Sequence, residues 1–247
     1  MPSTTILKAL TRAGIGPRRS MADAIRSGRV EVNGEMVDDF SHPVDTDKDR
    51  ILIDKHAIVL RPPKPVYLLL NKPRGVLTTT RDDRGRTTVL DILPDKHRHL
   101  GLHPIGRLDK DSTGLLLLTN DGDLTHRLAH PRFEHEKEYL VSISARLSTA
   151  EKRRLENGIE LDDGTTHAAK VKEVHVKLFN YSITVHEGRK RQVRRMFKRL
   201  GYEVLALRRI RIGSVRLGDL KDGELRELTE QELSELIPGR TELSRIK

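Results

Sequence analysis

The chain has 247 residues, with 46 Lys and Arg against 36 Asp and Glu, giving a formal net charge of +10. There is no cysteine, which excludes disulfides and thiolate metal sites, and no apolar run approaches the ~20 residues a membrane span requires. The length suits one large domain or a large and a small one, and the positive excess points to a polyanionic partner, nucleic acid before membrane. With four Tyr, four Phe and no Trp, stacking on bases is confined to one or two places. A soluble, cytoplasmic protein is expected, since Met1 to Gly14 also lacks a secretory apolar core.

Taken in order, Ile6, Leu10 and Ala13 recur at helical spacing over residues 5–13, and Gly14 ends that helix. Gly16-Pro17 opens a second helix that turns Met21, Ala24 and Ile25 inward and leaves Arg18, Arg19 and Arg26 outward. Gly28 to Val37 reads as strand, Asn33-Gly34 turn, strand. Through residue 30 six basic residues (Lys8, Arg12, Arg18, Arg19, Arg26, Arg29) face a single acid, Asp23. From 31 to 62 four basic residues face eight acids, so a phosphate-binding face and a face turned away from nucleic acid are expected. The order of helices and hairpin, with Leu7-Lys8-Ala9-Leu10, Ala13-Gly14, Arg18-Arg19 and Gly28 to Gly34, resembles an S4 domain, a small RNA-binding module. Pro17 departs from the Ser usual before the Arg pair, which alters the cap of the second helix.

Arg61-Pro62-Pro63-Lys64-Pro65 favours extended, semi-rigid backbone. The expected organisation is therefore 1–62 as the small domain, 63–66 as linker, 67–238 as a second domain and 239–247 as a charged tail. Val66 to Leu70 is a buried strand, followed by a turn at Asn71 to Gly75 and a second strand through Thr80. Arg81 to Arg86 is a solvated charged loop rather than a metal site. Gly106-Arg107-Leu108-Asp109-Lys110-Asp111-Ser112-Thr113-Gly114 is an acid-containing loop, and Leu115 to Leu118 after it is an inner strand buried on both faces. Asp109 so placed is rigidly held, as a catalytic carboxylate must be; taken alone, it reads more readily as a turn cap or a partner of Arg107. A turn at Asn120-Asp121-Gly122 precedes a short helix from Asp123 to His130. His126 and His130 lack the Glu of a zinc-protease motif, and no metal is expected there.

Tyr139 to Ala145 alternates as a strand with one buried face, and Ser148 to Glu151 is a capping box. Further strands are expected near Ala168 to Val176 and Leu178 to His186. From Arg189 to Leu200 an amphipathic helix is expected, with Val193, Met196, Phe197 and Leu200 inside. Seven of the eleven residues from Arg189 to Arg199 are basic, which is unfavourable unless a polyanion or a specific carboxylate neutralises them. Arg189, Arg191, Arg195 and, in the next basic segment, Arg208 are therefore candidate RNA contacts. Thr229 to Glu232 forms a second capping box.

In combination, Gly106 to Asp109, Ser112 to Gly122, Lys137-Glu138-Tyr139, Glu187-Gly188-Arg189, Gln192 to Met196 and Leu207-Arg208-Arg209 resemble the ordered motifs of S4-containing ribosomal RNA pseudouridine synthases. Members that modify the large ribosomal subunit, the B type, match best, and the A type, which modifies the small one, matches every motif. The resemblance implies an α+β chain: the S4 domain, then a catalytic domain on a mainly antiparallel mixed sheet flanked by helices. It implies a cofactor-free isomerase acting as a monomer on ribosomal RNA, with 23S rRNA or the large subunit during assembly favoured over 16S rRNA. It assigns Asp109 to the sugar, as attacker of C1′ or as base at C2′, and pairs Arg194 with it. Tyr139 is to stack on the flipped base, Arg107 to fill the space the base leaves, and Leu207 to line the base pocket. Arg191 stands where His often precedes the Gln. The competing class is a non-catalytic S4-type ribosome-associated protein, which leaves the Asp109 loop unexplained.

Overall fold

The computed structural model of the chain describes residues 4–61, 63–129 and 135–236. It divides into two compact units, Met1–Pro65 and Val66–Lys247. In the first, β1 (Thr4–Thr5), α1 (Ile6–Arg12) and α2 (Arg18–Arg26) precede β2 (Val30–Val32), β3 (Glu35–Met36), β4 (Pro43–Val44), β5 (Ile51–Ile53) and β6 (His56–Ile58). Ile6, Leu7, Ala9 and Leu10 of α1 and Ala24 and Ile25 of α2 are buried, and Gly14 takes the left-handed φ of +71° that ends α1. Asn33 and Gly34, with φ of 54° and 92°, make the tight turn whose hand matches strand twist. The hairpin joins an antiparallel sheet of order β3-β2-β5-β6. β4 to β6 come from the acidic stretch, where Val44, Ile51 and Ile53 supply buried anchors between charges.

The second unit begins with β7 (Tyr67–Lys72), α3 (Asp95–Arg98), β8 (His103–Ile105), β9 (Thr113–Thr119) and α4 (Gly122–Ala129). Then come β10 (Lys137–Ile143), α5 (Thr149–Glu156), β11 (Glu160–Leu161), β12 (Gly164–Thr165), β13 (Lys170–Val176) and β14 (Phe179–Val185). It closes with α6 (Gln192–Arg199), β15 (Val204–Ile212), β16 (Val215–Arg216), β17 (Leu225–Glu227) and α7 (Glu230–Leu236). A nine-stranded sheet runs β13-β14-β10-β15-β9-β7-β17, with β16 on β15 and β8 on β9. Within this sheet, among the described residues, only β15 and β9 pair in parallel, so it is mixed and mainly antiparallel, an α+β architecture. The four-leucine run lies at its centre. Leu116 and Leu118 join the core with Val141, Ile183 and Phe197, while Leu115 and Leu117 join the opposite core with Leu124, Leu128 and Leu233. Truncating any of them to Ala should cost about 2–5 kcal/mol.

Both capping boxes form: Ser148 Oγ accepts from Glu151 N at 3.2 Å, and Thr229 Oγ1 from Glu232 N at 3.1 Å. Other expectations fail for local reasons. β7 runs on through Lys72, two residues into the expected turn, because it pairs with β9 as far as Lys72–Gly114, and the turn itself is held to Arg74-Gly75. No strand reaches Thr80; Leu77 makes an isolated parallel bridge to Thr88, and Thr78 Oγ1 donates to Leu108 O at 2.8 Å. That segment braces a loop instead of extending the sheet. α4 starts at Gly122 because Asp121 Oδ1 accepts from Asp123 N and Leu124 N, which makes Asp121 its cap rather than part of a free turn. Strand β10 stops at Ile143, leaving Ala145 exposed. The expected charged tail at 239–247 and His130 lie outside the described residues.

Candidate active site

Residues 106–112 form a loop whose backbone is tied from several sides. Lys72 Nζ donates to Ser112 O at 2.9 Å, Pro73 O at 2.9 Å and Lys110 O at 3.4 Å. Thr78 holds Leu108 O, and Arg209 Nη1 reaches Arg107 O at 3.5 Å. Gly114 closes the loop with φ of +100°; a Cβ there would lie 2.2 Å from Arg209 O, so only glycine lets β9 meet β15. Asp109 projects from this frame with its side chain 31% exposed, enough to be reached by a substrate.

The loop forms one wall of a cleft of about 980 Å³. Arg107 and Asp109 line it with Tyr139, Leu207, Arg209, Lys137 and the segment from Val185 to Val193. Strands and loops far apart in the chain therefore bring Asp109, Tyr139, Arg107 and Leu207 to a single cavity. A smaller cavity of about 310 Å³ beside Leu93 and His97 contains none of them.

The pairing of Asp109 differs from expectation. Its ion pair is with Arg191, Nη1 to Oδ2 at 3.6 Å, and not with Arg194. Arg194 Nη1 instead donates to Val204 O at 2.8 Å and Nη2 to Asp111 O at 3.4 Å. Burial pulls its guanidinium pKa down, with nearby Arg191 adding to that, while Asp109 and Asp111 partly offset it. The cause is where α6 begins. Arg191 is not helical but caps the helix in the left-handed region, φ 51° and ψ 33°, which turns its side chain toward the Asp109 loop. Arg189 to Arg191 consequently form a loop, and the helix is shorter than the sequence pattern suggested.

Of the other candidate RNA contacts in this unit, each already has a protein partner. Arg189 pairs with Glu187 at 2.8 Å and donates to Gly164 O and Thr165 O. Gln192 Nε2 donates to the same Glu187 at 2.7 Å, so Glu187, Arg189 and Gln192 make a wall of the cleft. Arg195 meets Asp163 at 2.8 Å and Arg208 meets Asp222 at 3.6 Å. Specific carboxylates thus neutralise much of this basic stretch. In the first unit Arg12, Arg18, Arg19 and Arg26 are exposed and Lys8 is half-buried. Arg26 lies over Phe40 at 5.3 Å, and Arg29 forms a two-pronged ion pair with Asp54, so the basic and acidic segments are partly matched to each other.

Three cations were not singled out by sequence reasoning. Lys72 is fully buried, and desolvation pulls its pKa down to about 8 although Asp111 and Asp109 oppose the shift. Lys137, one strand repeat from Tyr139, is also lowered to about 8, by burial and then by Arg209. Arg209 is 2% exposed, with its guanidinium carbon 6.0 Å from the Tyr139 ring centre. Lys72 was hidden by the turn expected at 71–75, and Arg209 by the repeated arginines around it. The Lys137-Glu138-Tyr139 pattern was the available signal for Lys137.

A small module of two helices and a hairpin, followed by a mixed-sheet domain with an acid loop over a cleft, defines the architecture of an RNA-modifying enzyme. The S4 domain model matches residues 5–51, and the RNA pseudouridylate synthase model matches residues 66–199. The chain belongs to the RNA pseudouridylate synthase family and is an isomerase that makes pseudouridine from uridine. It is 40% identical over 206 residues to ribosomal large subunit pseudouridine synthase B of Bacillus subtilis (strain 168), covering 82% of each chain. It is 43% identical over 233 residues to an uncharacterised RNA pseudouridine synthase of Mycobacterium leprae, covering 93% of this chain and 90% of that one. A solved pseudouridylate synthase crystal structure superposes with a TM-score of 0.68 at 33% identity, over 95% of this chain and all of that one. Among the described residues, no helix is long and apolar enough to cross a membrane.

Proposed function

We propose that the chain isomerises a uridine of 23S ribosomal RNA, with Asp109 as the catalytic carboxylate. The observation that carries this reading is the half-open Asp109 carboxylate, on a loop braced from Lys72, Thr78 and Arg209, in one cleft with Tyr139 and Leu207. The flipped base stacks on Tyr139, and Leu207 borders it. The C1′–N1 bond breaks, the base turns, C1′ bonds to C5, and the C5 proton leaves as N1 gains one. Atoms balance without any co-reactant. Arg191 orients Asp109 before RNA enters, and Arg107, which lines the same cleft, fills the gap left in the stack. The choice of 23S over 16S rRNA rests on the name of the Bacillus subtilis relative.

The test is tritium release from RNA labelled at uridine C5. Asp109→Asn should lose at least ~10³-fold in rate with RNA affinity retained. Loss of affinity in parallel with rate would make Asp109 a structural residue. Mapping pseudouridines in both ribosomal RNAs with and without the gene identifies the target, and a site missing from 16S rRNA instead would overturn the 23S assignment.

A further inference from the structure

Arg209 stands out among the cations of β15. Arg208 and Arg211 reach carboxylates, Asp222 for the first and Glu136 and Glu138 for the second. Arg209 has no carboxylate partner among the described residues, although it is 2% exposed. Burying a cation without a counter-ion is unfavourable, so its remaining contacts need an explanation. Nε donates to Leu115 O at 2.7 Å and Nη1 to Arg107 O at 3.5 Å, while Nη2 is buried with no partner. The two carbonyls lie on either side of Asp109 in sequence. One guanidinium thus ties the start of the acid loop to the strand that follows it.

Its register places it between the two halves of the site. On β10 the residue opposite Arg209 is Tyr139, and on β9 it is Gly114. The β10–β15 ladder shifts between Glu138 and Tyr139, a bulge that re-aims the side chain beside it. The guanidinium then faces the Tyr139 ring at 6.0 Å. An RNA phosphate is a poor explanation for a side chain this enclosed, because phosphate contacts are made from exposed cations. A lysine could not replace it, since one ammonium lacks the planar fork that meets two carbonyls and a ring together.

We propose that Arg209 is a positioning residue for the isomerisation, fixing the Tyr139 ring and the Asp109 loop at one mutual separation. This rests on the reading above, in which Tyr139 carries the base and Asp109 acts at the sugar. Reactions of bound groups depend steeply on such spacing, about 100-fold for a 1 Å misplacement. Arg209 acts through Tyr139 and the loop, not on the substrate.

The test is a double-mutant cycle in the full chain with Arg209→Lys, Arg209→Gln and Tyr139→Leu, singly and combined. It reads kcat and KM from C5 tritium release, RNA affinity and the melting temperature. Arg209→Lys should lower kcat about 10- to 100-fold with KM and RNA affinity changed less than about threefold. In the Tyr139→Leu background that loss should shrink by about tenfold, because the ring it orients is gone. Additive losses, or a kcat recovered in full once unfolded protein is corrected for, would overturn the proposal. Arg209→Gln separates charge from geometry: a kcat above that of Arg209→Lys means that charge next to the ring, and not the fork, is harmful, which also overturns it. If Tyr139→Leu alone leaves kcat unchanged, the Tyr139 reading fails independently of Arg209.

Discussion

The two units use positive charge in opposite ways. In the first, Arg12, Arg18, Arg19 and Arg26 are exposed, and the ion pairs that form, such as Arg26 with Asp23, stand in solvent. Exposed pairs contribute only about 0–1 kcal/mol to folding, so the larger physical effect of these cations is the positive field they sum at that surface. In the second unit Lys72 and Arg209 are buried and bound to backbone carbonyls that belong to one loop and the strand after it. There position matters more than the amount of charge. The lesson is that a basic composition describes the first unit well and misdescribes the second, where Arg209 braces backbone carbonyls instead of facing solvent.

The sharpest break in that comparison comes from the backbone beneath the braces. Gly114→Ala places a methyl 2.2 Å from Arg209 O at φ +100°, so stability should fall by about 3 kcal/mol or more. Denaturant unfolding measures it, and a loss under about 1 kcal/mol would mean that β9 and β15 can part without consequence. Activity should fall with it, since the same contact seats the Asp109 loop.

A smaller effect is expected from pH. Lys72 has a folded pKa of about 8, below the ordinary lysine value of 10.5. The protonated form is thus disfavoured by folding: the penalty is fully present below pH 8 and is relieved as pH rises from about 8 to 10.5. Stability should rise across that window while catalysis falls, because the loop beside Asp109 loses its cation. Lys137 titrates in the same range, so the pH–rate profile should be repeated with Lys137→Arg. An alkaline limb that stays near pH 8 assigns it to Lys72; one that moves upward assigns it to Lys137 and sinks this account.

Smallest should be the effect of the exposed charges. Arg18→Glu with Arg19→Glu should leave saturated kcat within about twofold and reduce the log–log salt slope of RNA binding by about 0.7–0.9 for each phosphate no longer neutralised. An unaltered slope would place the phosphate-binding face elsewhere on the chain.

Much of this was legible from residue order because its causes are local. The α1 periodicity, the Asn33-Gly34 turn, both capping boxes and the leucine strand each depend on residues within a few positions of one another. The family motifs likewise brought Asp109, Tyr139 and Leu207 forward, and the fold gathers them in one cleft. The pairing of Asp109 was not legible. Whether Arg191 or Arg194 meets it depends on a left-handed residue at the start of α6 and on carbonyls that Val204 and Asp111 offer to Arg194.

The sequence by itself determined the two-part organisation, the basic amino-terminal helices and the buried strand behind the acid loop. Hydrophobic period and turn chemistry act at short range, and a chain carries them in its order of residues. Tertiary structure alone decided that Lys72 would be buried beneath the Asp109 loop and that Arg209 would lie against Tyr139. It also decided that Arg191 would hold the carboxylate. Those contacts join residues 38 or more positions apart, where packing and desolvation, not local propensity, select the partner.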